Sequence, residues 1–365
     1  TGNSISITGN ILIGWATSAS VVDVKGIEST GFLTGVNPSA DISNNSLGTA
    51  AIGWGSSAVT NTSTVSGIKL VARNQTVSKI RYNDFRGIGF ANSALASVEC
   101  ISFTDTTATN NITNITGNTF SSLSVTATSL RLINASEKMG NNAIRTIDSN
   151  KVTGSLTFTG GFFQMIGSYS ANAAGLRSTI SYNEISNANF TLTNELTSSA
   201  SIILDIGFSK ERKIEYNKIS NITQTGSFCQ AIGVDYSSGV LADTAFISNN
   251  QVSDIAVNGF GNYGILNSQG NSNKPVLISN NRIKNLSMTR ATDTTDAFVI
   301  GVGSTALFSQ KGVIIKANDI STLSSSMDSS VVSGVFIYNV YSPGGLHKHT
   351  INGNKIYDLS VSKPG

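Results

Sequence analysis

Charge is the first thing this chain lacks. Asp, Glu, Lys and Arg make up only 12% of its 365 residues, about half the roughly 25% of an ordinary globular protein. The net charge of +3 is scattered, with no basic run, which leaves no case for nucleic acid or an anionic membrane as a partner. Cysteine is nearly absent. Cys100 and Cys229 fall four repeats apart on the alignment below, too far for a disulfide, and read as small core residues. No apolar run approaches the roughly 20 residues of a membrane helix and no signal peptide is visible, so membrane insertion is not expected. The chain also lacks an initiator Met, starts inside a repeat and stops soon after another. It is expected to be one segment of a longer protein, with flanking domains in the same chain.

What fills the polar positions is Asn, Ser, Thr and Gly, so the surface is hydrogen-bonding rather than ionic. The hydrophobic content of 39% is too high and too regularly spaced for disorder. That spacing is a repeat. The motif Ile-x-x-Asn-x-Φ, with Φ apolar, occurs eleven times, centred on Asn10, Asn45, Asn83, Asn118, Asn150, Asn183, Asn217, Asn250, Asn281, Asn318 and Asn354. Successive Asn residues lie 31 to 38 residues apart, about 34 on average. An Ile stands three residues before each Asn, Leu, Phe, Val or Ile stands two after it, and most copies are apolar again five after it, as at Ile88, Leu123, Ile222, Ile255, Leu286, Leu323 and Leu359.

A period between 20 and 50 residues signals a solenoid, a propeller or an array. The segments are short, β-branched and rich in Gly and Asn, which argues against helical repeats. Propeller blades need about 40 residues and their own hairpins, and no Asn-Gly or Asp-Gly pair recurs at a fixed place between two alternating strands. A coil of parallel strands fits: one strand ends at the Ile, the chain bends at the Asn, and a second strand carries the later apolar residues. A third strand is expected at an apolar-Gly-apolar core found in most copies, as in AAIGWGS at 50, FFQMIGSY at 162, ILDIGFS at 203, QAIGVDY at 230, FVIGVGS at 298 and VSGVFIYN at 332.

This pattern resembles the right-handed parallel β-helix repeats of the pectin lyase-like superfamily over essentially the whole chain. The Asn-rich wording of ISNNRIKNL, ISYNEISNA and IEYNKISNI is similar to β-helix segments of large secreted or surface proteins of Bacteroidota, many of them cargo of the type IX secretion system. The expected fold is therefore all-β: a single right-handed parallel β-helix over residues 1–365, of about eleven coils with about 34 residues and three strands per coil. The handedness comes from the resemblance. The resemblance also implies an extracellular location and the secretion machinery as a partner.

In such a stack each residue sits on its counterpart about 4.8 Å away. Identical Asn side chains can then pass amide hydrogen bonds up the column, and Asn tolerates the left-handed backbone that a two-residue bend demands. The eleven asparagines are read as a structural ladder. Register is indicated by charge: one residue past the Asn stand Lys151, Glu184, Lys218, Gln251, Arg282, Asp319 and Lys355, and seven before it stand Lys210, Asp243 and Lys274, with signs that alternate where neighbours touch.

Chemistry on the scaffold is hard to assemble. Lyases of the resembled superfamily need a carboxylate cluster for calcium and an Arg base, and the hydrolases need close Asp pairs and a His motif. Only Asp293 and Asp296 are close in sequence, and Arg282-Ile283-Lys284 matches a short polygalacturonase element without its companions. Asp148 and Glu215 share a column two turns apart, with Ser181 between them. His347 and His349 have same-face spacing on a strand, but Lys311 one turn below His347 repels a cation. Asp243-Thr244-Ala245 resembles the short O-glycosylation motif of Bacteroidota. Aromatic residues are the better lead. Trp15, Trp54 and Phe90 end three consecutive IGW or IGF triplets and stack either as an interior ladder or as an outward platform for sugar rings, and Tyr182 and Tyr216 form a second stack outside the bend. The sequence points to a non-catalytic structural or adhesive segment of a large exported surface protein, with carbohydrate or a surface receptor as partner. The alternative is a carbohydrate-active enzyme fragment or a carbohydrate-binding β-helix. No residue is assigned to catalysis, a cofactor or a metal.

Overall fold

The computed structural model describes residues 4–13, 23–30, 38–49, 64–73, 75–91, 95–106, 110–137, 142–171, 175–193, 198–207, 209–235, 244–268, 275–289, 297–306, 312–327, 330–339 and 349–362. Among them there is no helix. The chain is a parallel β-solenoid with three sheets. The first has eleven strands, from Ser4–Thr8 to Thr350–Asn352, the second twelve and the third ten. The first sheet thus has one strand for each Asn motif.

The coil around Asn217 shows why these residues fold this way. Strand Glu211–Glu215 ends, Tyr216 and Asn217 turn the corner, Lys218–Thr225 runs along the second sheet, and Phe228–Asp235 forms the third. Ile214 and Ile219 flank the corner and point inward, buried to 0% and 1% exposure. Each pairs with its own kind of residue one coil away, Ile180 and Ile247 beside Ile214, Ile185 and Val252 beside Ile219. Fully burying such a side chain contributes roughly 1.5–3 kcal/mol, and the columns repeat that gain at every coil. At the far end the columns surface, with Ile351 54% and Ile356 42% exposed.

The bend departs from expectation in one respect. The left-handed backbone sits not at the ladder Asn but one residue before it, at Gly9, Asn44, Tyr82, Gly117, Ser149, Tyr182, Tyr216, Asn249, Asn280, Ala317 and Gly353, all with φ between 54° and 70°. The reason is division of labour. The residue before the Asn reverses the chain with its side chain outside, and the Asn keeps an ordinary backbone so that its amide points into the stack.

The charge column one past the Asn stacks as read: Lys151 on Glu184, Glu184 on Lys218, Arg282 on Asp319, Asp319 on Lys355. Glu184 Oε1 lies 2.8 Å from Lys218 Nζ and Oε2 lies 3.9 Å from Lys151 Nζ. These groups are largely exposed, so the exchange Glu184→Lys, which places three cations in a row, is expected to lower stability by less than about 1 kcal/mol and only at low salt. Thermal midpoints of the two proteins at low and high ionic strength check it. In the second charge column Asp243 and Lys274 lie outside the described residues.

One third-sheet assignment changes. The stretch AAIGWGS lies outside the described residues, and the third-sheet strand of that coil is Thr64–Ala72, with Ile68 paired to Ile27 and Ile101. The IGF triplet ends in strand Gly89–Ala91, which pairs with Thr119–Thr126 in the second sheet, while the third-sheet strand of its coil is Ser97–Asp105.

Candidate functional site

The ladder is built from one repeated unit. Asn217 Oδ1 accepts from the backbone N–H and the Nδ2 of Asn183, both at 3.0 Å, while its own Nδ2 donates to Asn250 Oδ1 at 3.0 Å and to the carbonyl of Ile180 at 2.9 Å. An amide side chain has two donor hydrogens and one twofold acceptor, so every capacity is used although the residue is only 1% exposed. The same contacts recur from Asn10 to Asn354, with amide-to-amide distances of 2.8–3.0 Å. Because the Ile carbonyl belongs to the coil below and the accepting amide to the coil above, each Asn between Asn10 and Asn354 ties three coils together.

Outside the ladder runs the left-handed column, and here three coils break its habit. Left-handed φ suits Gly and Asn and is disfavoured for bulky side chains, yet Tyr82, Tyr182 and Tyr216 hold it at 55°, 54° and 59° with 59%, 56% and 46% of their surface exposed. The rings of Tyr182 and Tyr216 stack with centroids 5.0 Å apart and planes within 4°. They line a shallow depression of about 480 Å³ with Ser149, Lys151, Glu184, Lys218 and Gln251. The Tyr82 ring leans over the next coil, where a Cβ on Gly117 would lie 2.6 Å from it. An exposed aromatic pair beside amide and ammonium donors suits a ligand with both a flat apolar face and hydroxyl or carboxylate groups.

Other sequence candidates fall elsewhere. Trp15 and Trp54 lie outside the described residues. Phe90 is 1% exposed, joins the core and pairs with Val125, so it offers no platform ring. Asp148, Ser181 and Glu215 do stack in register, but Asp148 accepts from Ser181 Oγ at 2.8 Å and from Ser149 Oγ at 2.9 Å, which places it in a local network. His349 Nδ1 accepts from the N–H of Val313 at 3.3 Å, whereas His347, Asp293 and Asp296 are not among the described residues. Among the described residues no group of three or more His, Cys, Asp or Glu side chains converges on a metal-sized space. Cys100 and Cys229 are free and buried, and burial pushes the Cys229 thiol up to about 12.

Two features escaped the sequence reading. One is a second left-handed column four residues past the Asn, where Asn285 Nδ2 donates to Asp254 Oδ1 at 2.7 Å. That bond, with a lesser one from Ser253, holds the Asp254 carboxyl below its ordinary range. The other is a charged cluster inside the solenoid, made of Arg145, Asp205 and Arg212, each no more than 1% exposed. Arg145 and Arg212 each stand five residues before a ladder Asn with Ser178 between them, but Asp205 comes from the third sheet, so no single motif brings the three together.

Comparison with protein-family models, with curated proteins and with solved structures returns no match.

Proposed function

We propose that this chain is a non-catalytic structural and adhesive segment of a large exported bacterial surface protein, a rigid column that carries contact residues on its outside. The observation that supports this most is the unbroken ladder from Asn10 to Asn354. A repeat whose central polar residue is spent entirely on joining coils is built for continuity along an axis, about 48 Å for ten steps of strand spacing. The extracellular location, passage through a type IX secretion system and attachment to flanking domains belong to the same proposal and rest on the wording of the repeats.

The adhesive part rests on Tyr182 and Tyr216. Their left-handed backbone costs of order 1 kcal/mol each, a cost that Gly or Asn in the same column avoids, and the rings cover no core. We assign them to weak contact with carbohydrate, one sugar face against a ring and hydroxyls against Lys151, Lys218 or Gln251.

The test is a set of neutral glycans and polyuronides incubated with the chain, with binding and chain cleavage measured together. Binding in the millimolar to high micromolar range without new reducing ends or unsaturated products is expected, and the double variant Tyr182→Asn/Tyr216→Asn should lose it while melting at the same or a higher temperature. Turnover of any of these polymers would sink the proposal in favour of a polysaccharide lyase or hydrolase fragment. Binding that survives the double variant would move the contact away from the tyrosines.

A further inference from the structure

We propose that the second sheet carries, past a bend within each of its strands, a hydroxyl face that binds the surface of ice crystals. In strands Thr119–Thr126, Glu184–Leu192 and Lys218–Thr225 the first two inward residues stand three apart, Phe120 and Leu123, Ile185 and Ala188, Ile219 and Ile222. Between them Ser122, Asn187 and Asn221 hold left-handed φ of 55°, 58° and 55°, and Asp254 and Asn285 do the same in later coils at 58° and 54°. The bend gives the end of each strand an outer face of its own, two outward residues wide. The depression at Tyr182 and Tyr216 lies on the other side of that bend, so this face is independent of the carbohydrate contact proposed above.

Two columns run up the face in register. One reads Ser124, Thr157, Asn189, Thr223, Ala256 and Ser287, and the other Thr126, Thr159, Thr191, Thr225, Asn258 and Thr289. The residue between them in each strand, such as Val125, Phe158, Phe190 or Val257, is buried in the core, which turns both columns outward. Thr157, Thr191, Thr223, Thr225 and Thr289 are exposed. Nine of the twelve carry a hydroxyl and seven are Thr, whose branched Cβ restricts χ1 and so fixes hydroxyl and methyl together. Among the described residues, none of these twelve side chains is engaged by another residue, so the hydroxyls are free to bond outside the chain.

The spacing names the ligand. Neighbours within a column lie about 4.8 Å apart, and the two columns lie two residues apart along the strand, about 6.6 Å. The prism face of hexagonal ice repeats its oxygen positions at nearly these two distances, so successive rows of the array meet equivalent sites on one crystal face. Five steps of strand spacing make the array about 24 Å long. Its chemistry also suits crystalline water better than other partners. Neither column holds a charge, which would keep its own hydration shell. A sugar polymer is gripped by exposed aromatic rings and a protein partner by a bulky anchor, and the face offers neither.

Slow freezing of a dilute solution of the whole 365-residue chain onto a cooled surface tests this, with the protein in the ice fraction measured against an inert protein of similar mass. Enrichment in the ice is expected. Thr225→Lys, in the middle of its column, puts a charged stem between the two surfaces and is expected to lower the enriched fraction roughly tenfold or more, with unchanged circular dichroism and melting. Thr146→Lys, half-buried on the outer face of the first sheet, should leave the enrichment as it was. Ala256→Thr with Asn258→Thr supplies the one row that lacks a hydroxyl and should raise it. Exclusion from ice to the same degree as the inert protein overturns the proposal, as does enrichment that Thr225→Lys leaves intact or that Thr146→Lys removes equally. Adsorption to powdered cellulose or chitin that Thr225→Lys abolishes, without enrichment in ice, overturns it in favour of a polysaccharide surface.

Discussion

Asn217→Ala is expected to cost roughly 4 kcal/mol of stability, because it opens the ladder at its middle. The Asn183 N–H loses the acceptor at 3.0 Å, the Asn183 Nδ2 loses its upward partner, and Ile180 O and Asn250 Oδ1 each lose a donor. A buried group left unsatisfied costs about 1–3 kcal/mol, and each lost bond about 1 kcal/mol net. The matching change at the end of the column, Asn10→Ala, should cost less than about 1 kcal/mol, since Asn10 is exposed and its amide gives one bond to Asn45 Oδ1 and one to Thr8 O. Urea denaturation midpoints compare the two, and hydrogen exchange locates the damage, which should centre on the amides of Asn183, Asn217 and Asn250 and fade within a few coils. Equal losses at Asn10 and Asn217 would show that burial and continuity of the ladder do not matter. Asn217→Asp is a sharper version, because it keeps the acceptor, removes both donors and places an acid where the next residue up offers only Asn250 Oδ1.

These bonds explain why so much of the fold was legible in the repeats. A column that needs the same side chain at every coil leaves that side chain in the sequence every 31 to 38 residues, and Ile-x-x-Asn-x-Φ marks the strand end, the bend and the next strand at once. The charges past the Asn were readable for the same reason, since each meets its neighbour directly. Legibility fails where the constraint is not repeated. The distance from the Asn to the third strand varies, so AAIGWGS at 50 was placed on the third sheet, whereas that sheet takes Thr64–Ala72 from the same coil. The left-handed residue was assigned one position late because Asn is the usual occupant of that conformation, and here the column accepts Tyr, Ser and Ala as well. Tyr182 and Tyr216 were found as a pair because both stand just before the ladder Asn. Tyr82 has the same position, but its neighbours Gly117 and Ser149 interrupt the column, so only the backbone angle and the exposure set it beside them.

The interior cluster could not be read from one coil at all, and it gives the second large expected effect: Asp205→Ala should destabilise by about 3–5 kcal/mol. Arg145 and Arg212 lie two strands apart in the first sheet, with Ser178 between them in register. Asp205 reaches in from the third sheet, its Oδ1 accepting from Ser168 Oγ at 2.5 Å and lying 3.9 Å from Arg145 Nη2, its Oδ2 lying 3.4 Å from Arg212 Nε. Arg145 also donates to Ser168 Oγ at 2.7 Å and to the Tyr169 carbonyl at 3.0 Å, and Arg212 Nε donates to Ser209 Oγ at 2.7 Å. Removing the carboxylate takes away the acid that faces both buried guanidinium groups, and the desolvation they suffered on folding is less well offset. Removing all three charges is different. Asp205→Leu with Arg145→Met and Arg212→Met should recover the loss and reach or exceed the parent stability, because buried ion groups rarely outdo apolar side chains of similar volume. Denaturation midpoints of the single and triple variants distinguish the cases. An unaffected Asp205→Ala would mean that the arginines are hydrated or otherwise neutralised in solution. A triple variant as weak as the single one would mean that the cluster sets the pairing of first and third sheets at this corner, a role that apolar residues of the same size do not replace.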